Sequence, residues 1–122
     1  MNTKILIIDD DPKNIFALVA TLKAKGFTCL SSTSAKDGIA LLKNDKDIKI
    51  VLLDMMMPDI DGYEAISLIR ADKDISSVPL ISVTAQAMVG DREKCLEAGA
   101  DGYISKPIDV DKLLVTITSY IS

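Results

Sequence analysis

Five side chains in this sequence could do chemistry together if folding brought them to one place: Asp9, Asp10, Asp54, Thr84 and Lys106. Two carboxylates roughly 5 Å apart at an effective dielectric of about 20 repel by about 3 kcal/mol. Three in one crevice would raise at least one carboxyl pKa unless positive charge is supplied. Lys106 brings a single charge against three, and a divalent cation resolves the excess. Every ligand on offer is a hard oxygen, which makes Mg2+ the natural ion. Held by few carboxylates, it keeps positions open for water and a phosphate oxygen. A carboxylate beside a metal and a lysine is suited to act as a nucleophile toward phosphorus.

Other chemistries are closed by composition. The chain has no histidine, which excludes Ser-His-Asp and Cys-His catalysis and any His-ligated metal. Cys29 and Cys95 are far apart in sequence and form no C-x-x-C motif, so neither a redox dithiol nor a zinc site is expected. They read as two half-buried thiols of a reducing compartment. Eighteen acidic residues against fourteen basic ones give a net charge of -4, which disfavours direct nucleic-acid binding. No apolar run approaches the roughly 20 residues of a membrane span. The N-terminal stretch holds only the short run Ile5 to Ile8 before a group of acids, which does not read as a secretory signal. With 122 residues, 48% of them hydrophobic and 26% charged, one globular domain over 1–122 is expected.

The elements that must position the five residues follow from the apolar pattern. Lys4 to Ile8 is short, β-branched and uniformly apolar, as a strand buried on both faces should be. Asp11 can cap a helix with Pro12 in its first turn, after which Ile15, Leu18, Val19 and Leu22 recur at helical spacing up to Gly26. Phe27 to Ser31 reads as a weaker strand, and Ser34 opens a helix carrying Ile39, Leu41 and Leu42. Ile48 to Asp54 is a strand, and Asp61 to Glu64 has capping-box spacing before Ile66 and Ile69. Pro79 to Thr84 is the fourth strand, a helix runs from about Met88 to Ala98, and Tyr103 to Ser105 is a short fifth strand. Ile108 to Ile121 closes the pattern as an amphipathic helix with Leu113, Leu114, Ile117 and Ile121.

Five strand–helix units predict a doubly wound α/β domain, a parallel sheet with helices on both faces. Ligands of such sheets bind outside the carboxyl ends of the strands. Asp9 and Asp10 follow the first strand, Asp54 ends the third, Thr84 ends the fourth, and the fifth runs into Lys106. Viewed singly, each has a structural explanation: a helix cap, a β-branched strand residue, a solvated loop lysine. Together they place every functional type at one rim.

Four motifs in order carry a resemblance: Ile7-Ile8-Asp9-Asp10, then Leu52-Leu53-Asp54-Met55-Met56-Met57-Pro58 with Asp61-Gly62, then Val83-Thr84-Ala85, then Tyr103-Ile104-Ser105-Lys106-Pro107. With them the sequence resembles a response-regulator receiver domain of two-component signalling, the CheY-like fold, over essentially its whole length. The resemblance implies a flavodoxin-like (βα)5 domain with strand order 2-1-3-4-5. It implies that Asp54 accepts a phosphoryl group from a phosphohistidine on a partner histidine kinase or histidine phosphotransfer protein. A chain without histidine cannot itself be that donor. Asp10 would ligate Mg2+ directly, Asp9 through water, and Asp54 and the Met56 backbone carbonyl would complete the set. Lys106 would bind a phosphoryl oxygen, with a cis peptide to Pro107.

Thr84 would turn inward to the phosphoryl group and Tyr103 would follow, changing the surface of the fourth helix, fifth strand and fifth helix that a downstream protein target reads. Phosphate acts this way only by binding two pre-existing conformations differently. Such a protein is expected to be cytoplasmic, monomeric or a weak dimer, and no conventional enzyme, although it catalyses its own phosphorylation and dephosphorylation. Met56 and Gln86 occupy variable places expected to tune phosphoryl lifetime. The first-helix face at Asn14, Ile15 and Leu18 would meet a histidine-bearing bundle, although periodicity assigns Ile15 and Leu18 to the core. An aspartate-nucleophile phosphatase would carry a general-acid aspartate where Met56 stands, and a phosphate-blind pseudo-receiver would not need the full set of five residues. The sequence shows no helix-turn-helix or enzymatic output domain, leaving open a stand-alone regulator or the receiver part of a hybrid kinase.

Overall fold

The computed structural model describes residues 3–55, 57, 60–84 and 91–121, the side chains of 91 and 92 excepted. The expectations on Met56, Ala85, Gln86 and the first residues of the fourth helix near Met88 lie outside that range. Ten elements alternate: β1 (Lys4–Ile8), α1 (Pro12–Ala24), β2 (Thr28–Ser32), α2 (Ala35–Asn44), β3 (Ile48–Asp54), α3 (Gly62–Ala71), β4 (Leu80–Thr84), α4 (Asp91–Ala98), β5 (Gly102–Ser105) and α5 (Val110–Ile121). The strands form one parallel sheet in the order β2-β1-β3-β4-β5.

Local sequence sets the boundaries. Asp11 accepts a hydrogen bond from the Lys13 N–H at 2.9 Å with Pro12 opening α1, where its missing N–H leaves no donor unpaired. Ser34 caps α2 through the Asp37 N–H. Asp61 caps α3, its carboxylate accepting from the Tyr63 N–H at 2.9 Å. β4 begins one residue after Pro79, whose ring nitrogen cannot donate to the ladder, while the Pro79 carbonyl still accepts from the Val51 N–H. α5 begins two residues later than the apolar pattern suggests, because Asp109 caps it by accepting from the Asp111 and Lys112 N–H groups.

Alternation along the strands divides the apolar residues between two cores. Leu6, Ile8, Val51, Leu53 and Leu80 face α2, α3 and α4, meeting Leu42, Ile66, Ile69 and Cys95. Ile5, Ile7, Ile50, Leu52 and Ile81 face the other way, toward Ile15, Leu18 and Leu22 of α1 and Leu113 and Ile117 of α5. Strands covered on both sides must be apolar at every position, as β1 and β3 are. Full burial of each Ile or Leu contributes about 1.5–3 kcal/mol before the ordering cost. One expectation needs correction: Cys29 is half-buried, but Cys95 is fully buried, because it is the α4 residue that points into the first core.

Candidate functional site

The carboxyl ends of β1, β3, β4 and β5 deliver the site. Asp9 follows the last residue of β1 and is 4% exposed, Asp54 ends β3 at 3%, and Thr84 ends β4 at 6%, whereas Asp10 is exposed. Carboxylate oxygens of Asp9, Asp10 and Asp54 lie within 4.8 Å of one another. The Lys106 Nζ stands 3.7 Å from Asp9 Oδ2 and 3.7 Å from Asp54 Oδ2. Both separations are too long for hydrogen bonds, so the lysine serves two buried carboxylates by charge and leaves the group acidic.

Backbone bonds hold these positions. The Asp9 N–H donates to the Ser32 carbonyl at 3.1 Å, and Asp9 Oδ1 accepts from the Asp11 N–H at 2.9 Å, which aims the other oxygen into the crevice. The Met55 N–H donates to the Val83 carbonyl at 2.9 Å just past Asp54, and the Lys106 N–H to the Thr84 carbonyl at 2.7 Å. Thr84 pairs with Ser105 in the β4–β5 register, one residue short of the lysine. The Lys106–Pro107 peptide is cis.

Two glycines set how closely the helices approach. A Cβ on Gly38 of α2 would lie 2.5 Å from Cδ1 of Ile8, the residue before Asp9. A Cβ on Gly62 of α3 would lie 2.7 Å from the Cα of Met55, the residue after Asp54.

The crevice fits a hard divalent cation: three convergent carboxylates, two of them buried, with one lysine against them and no nitrogen or sulfur ligand in the cluster. Asp9, Asp10, Asp54 and Lys106 are therefore brought together as their strand ends implied, and Thr84 stands at the same rim. Tyr103 is partly buried on β5, packed against the α2–α4 core and aligned with Ser82. Ile15 and Leu18 are core residues, as their periodicity implied, while Asn14 borders a groove with Thr21, Lys106, Pro107 and Ile108 beside the rim.

Two residues escape sequence reading. Arg70 of α3 donates to the carbonyls of Gly99, Ser76 and Val78 and to the Asp101 carboxylate, tying α3 to the loops before β4 and before β5. Ser82 is a fully buried hydroxyl in the middle of β4. Its only sequence signal is that one polar residue interrupts Leu80-Ile81-Ser82-Val83.

A five-stranded parallel sheet in this order, with its acids at the switch point between β1 and β3, defines the flavodoxin-like class of doubly wound domains. The chain belongs to the response regulator receiver domain family, which it matches over residues 5–118. It is 34% identical over 119 residues to protein PilH of Pseudomonas aeruginosa, covering 98% of each chain. It is 30% identical over 121 residues to the polar-differentiation response regulator DivK of Brucella ovis, covering 99% of this chain and 98% of that one. Among solved structures, the receiver domain of a Pseudomonas aeruginosa sensor histidine kinase superposes with a TM-score of 0.89 at 30% identity, over 99% of this chain and 98% of that one. That domain holds a magnesium ion in its active-site cleft. The chain is thus a receiver domain of two-component response regulators rather than a classical enzyme, and its acidic cluster fits a phosphoacceptor site. No helix among the described residues is long and apolar enough to cross a membrane.

Proposed function

We propose that Asp54 is the phosphoacceptor of this receiver, with a phosphohistidine on a histidine kinase or histidine phosphotransfer protein as the donor. The observation that carries the reading is the placement of a carboxylate that is 3% exposed, within 4.8 Å of two further acids and 3.7 Å from one lysine. An Asp54 oxygen attacks phosphorus, the O–P bond forms as the P–N bond breaks, and the electron pair leaves with the imidazole. Lys106 takes a phosphoryl oxygen, so the charge it shares between Asp9 and Asp54 passes to the group being transferred. Asp10 would hold a divalent cation directly and Asp9 through water, with Asp54 beside them; the Met56 backbone carbonyl that the family resemblance adds to this set lies outside the described residues. Mg2+ bound there would neutralise the acids and the phosphoryl oxygens. Hydrolysis reverses the loading: water attacks phosphorus, the bond to Asp54 breaks, and inorganic phosphate leaves.

Loading adds three strong acceptors beside the end of β4, and in this reading the Thr84 hydroxyl turns to donate to one of them. Tyr103 follows into the space that Thr84 vacates. The α4–β5–α5 surface then differs between the two states, and a downstream protein target reads that difference. A cytoplasmic monomer or weak dimer is the form expected to act. Incubation with a small acyl phosphate and Mg2+ should add one phosphoryl group by intact mass, and Asp54→Asn should abolish the addition. Labelling that persists unchanged in the variant would overturn the assignment.

A further inference from the structure

Ser82 lies in the third position of β4, aligned with Leu53 of β3 and Tyr103 of β5. Alternation puts its side chain on the face of Leu80, toward the core shared by α2, α3 and α4. It is fully buried, and its hydroxyl is the one buried side-chain oxygen without a hydrogen-bond partner among the described residues. Its surroundings are the apolar core that includes Leu53, Leu80 and Cys95, with Tyr103 packed against it. α4 itself is polar: Glu93, Lys94, Leu96 and Glu97 are exposed, and Cys95 is its buried residue among those described. A buried hydroxyl with no protein partner makes the packing around it less favourable, by an amount equivalent to a factor of roughly 5 to 150 in an equilibrium.

We propose that Ser82 is a positioning residue of the switch, acting through Tyr103 and α4. The unpaired hydroxyl disfavours the arrangement seen here, with Tyr103 beside Ser82 and both against the core that Cys95 of α4 enters. The phosphorylated arrangement repacks both and gives the hydroxyl an acceptor or a bridging water. Ser82 thereby reduces what the phosphoryl group must supply to shift the population. The proposal rests on the reading of Asp54, Thr84 and Tyr103 given above and adds a residue that touches neither phosphate nor metal.

The test is the apparent affinity of the full chain for beryllium fluoride, a phosphoryl mimic, in Mg2+, measured for the unmodified protein, Ser82→Ala and Ser82→Thr. Ser82→Ala relieves the resting form, so its unfolding midpoint without the mimic should rise while its affinity for the mimic falls at least about 5-fold. Ser82→Thr keeps the hydroxyl and should stay within about twofold of the unmodified protein. A rise in midpoint with unchanged affinity would make Ser82 merely structural and overturn the proposal. Equal weakening in Ser82→Thr would overturn it as well. Should the unmodified protein show no Asp54-dependent binding of the mimic, the phosphoacceptor reading fails too, an outcome distinct from a response that ignores Ser82.

Discussion

The two ends of the sheet use the same residue types to opposite effect. At the amino end, every ion pair among the described residues is one acid to one base at hydrogen-bond distance: Lys4 with Asp45 at 2.7 Å, Lys43 with Asp72 at 2.9 Å, and Arg70 with Asp101 at 2.9 Å. At the carboxyl end, one lysine stands 3.7 Å from two acids, with a third acid beside them. Pairing satisfies charge and leaves nothing to react. Excess leaves an acidic crevice that a cation and a phosphoryl group can complete. Function here lies in what the fold leaves unbalanced.

The sharpest way to break the contrast is Asp54→Asn. Phosphorylation should vanish, yet in Mg2+-free, low-salt buffer the unfolding midpoint should rise, because removing one of three clustered carboxylates relieves repulsion on the order of 1 kcal/mol. A variant less stable than the parent in urea would show that the rim is balanced after all. The reverse experiment at the other end is Arg70→Met, which keeps the apolar stem but removes the donor of three carbonyls and leaves the Asp101 carboxylate with the Leu80 N–H and solvent. Stability should fall by about 2–4 kcal/mol, while labelling of Asp54 by an acyl phosphate stays within about twofold. Loss of labelling would mean that the two ends are coupled more tightly than their separation implies.

A smaller effect should come from the metal. Mg2+ at ten times its Kd should stabilise the protein by about 1.4 kcal/mol, and Asp10→Asn should remove most of that gain in thermal melts. Smallest of all is the pH response of the amino end. Hydrogen bonds from Lys43 to Asp72 and from Lys4 to Asp45 hold both carboxyls below their usual range, helped by the Asp74 and Asp47 N–H groups. Their contribution is full above the ordinary aspartate value of 3.8 and is lost as pH falls through the lowered folded values. Lys4 and Lys43 are raised by the same hydrogen bonds, so their contribution is full below 10.5 and is lost above it. Lys43→Met should flatten both arms of the urea midpoint against pH. Unchanged arms would show that solvent screens the pair completely.

The same contrast explains how much could be read from residues alone. The rim was legible because a parallel doubly wound sheet sends all its carboxyl ends one way, so Asp9, Asp54, Thr84 and Lys106 converge wherever each strand happens to stop. Apart from the start of the fourth helix, which lies outside the described residues, boundaries are legible to a residue or two, since Pro12, Ser34 and Asp61 announce helix starts by their own chemistry. Arg70 was not, because its partners lie in the loop after α3 and beyond α4, and only packing brings them within reach. Cys95 is more deeply buried than the sequence suggests, because a helix with so few apolar residues hides which of its faces turns inward. Ser82 was invisible for a different reason: a single serine in a strand says nothing about whether its hydroxyl has a partner.

Gly38 and Gly62 carry one more consequence. The acids on β1 and β3 are each one residue from a side chain or backbone that a neighbouring helix touches through a missing methyl. The helices thus act as alignment stops, and the gap between Asp9 and Asp54 is gauged by how deeply α2 and α3 are seated. Anything that lifts either helix off the sheet loosens the tolerance of the phosphate site from behind, with no contact to metal, lysine or donor. If Asp54 is the phosphoacceptor, as proposed above, the rate of its loading is also a measure of how firmly the far side of the domain is closed.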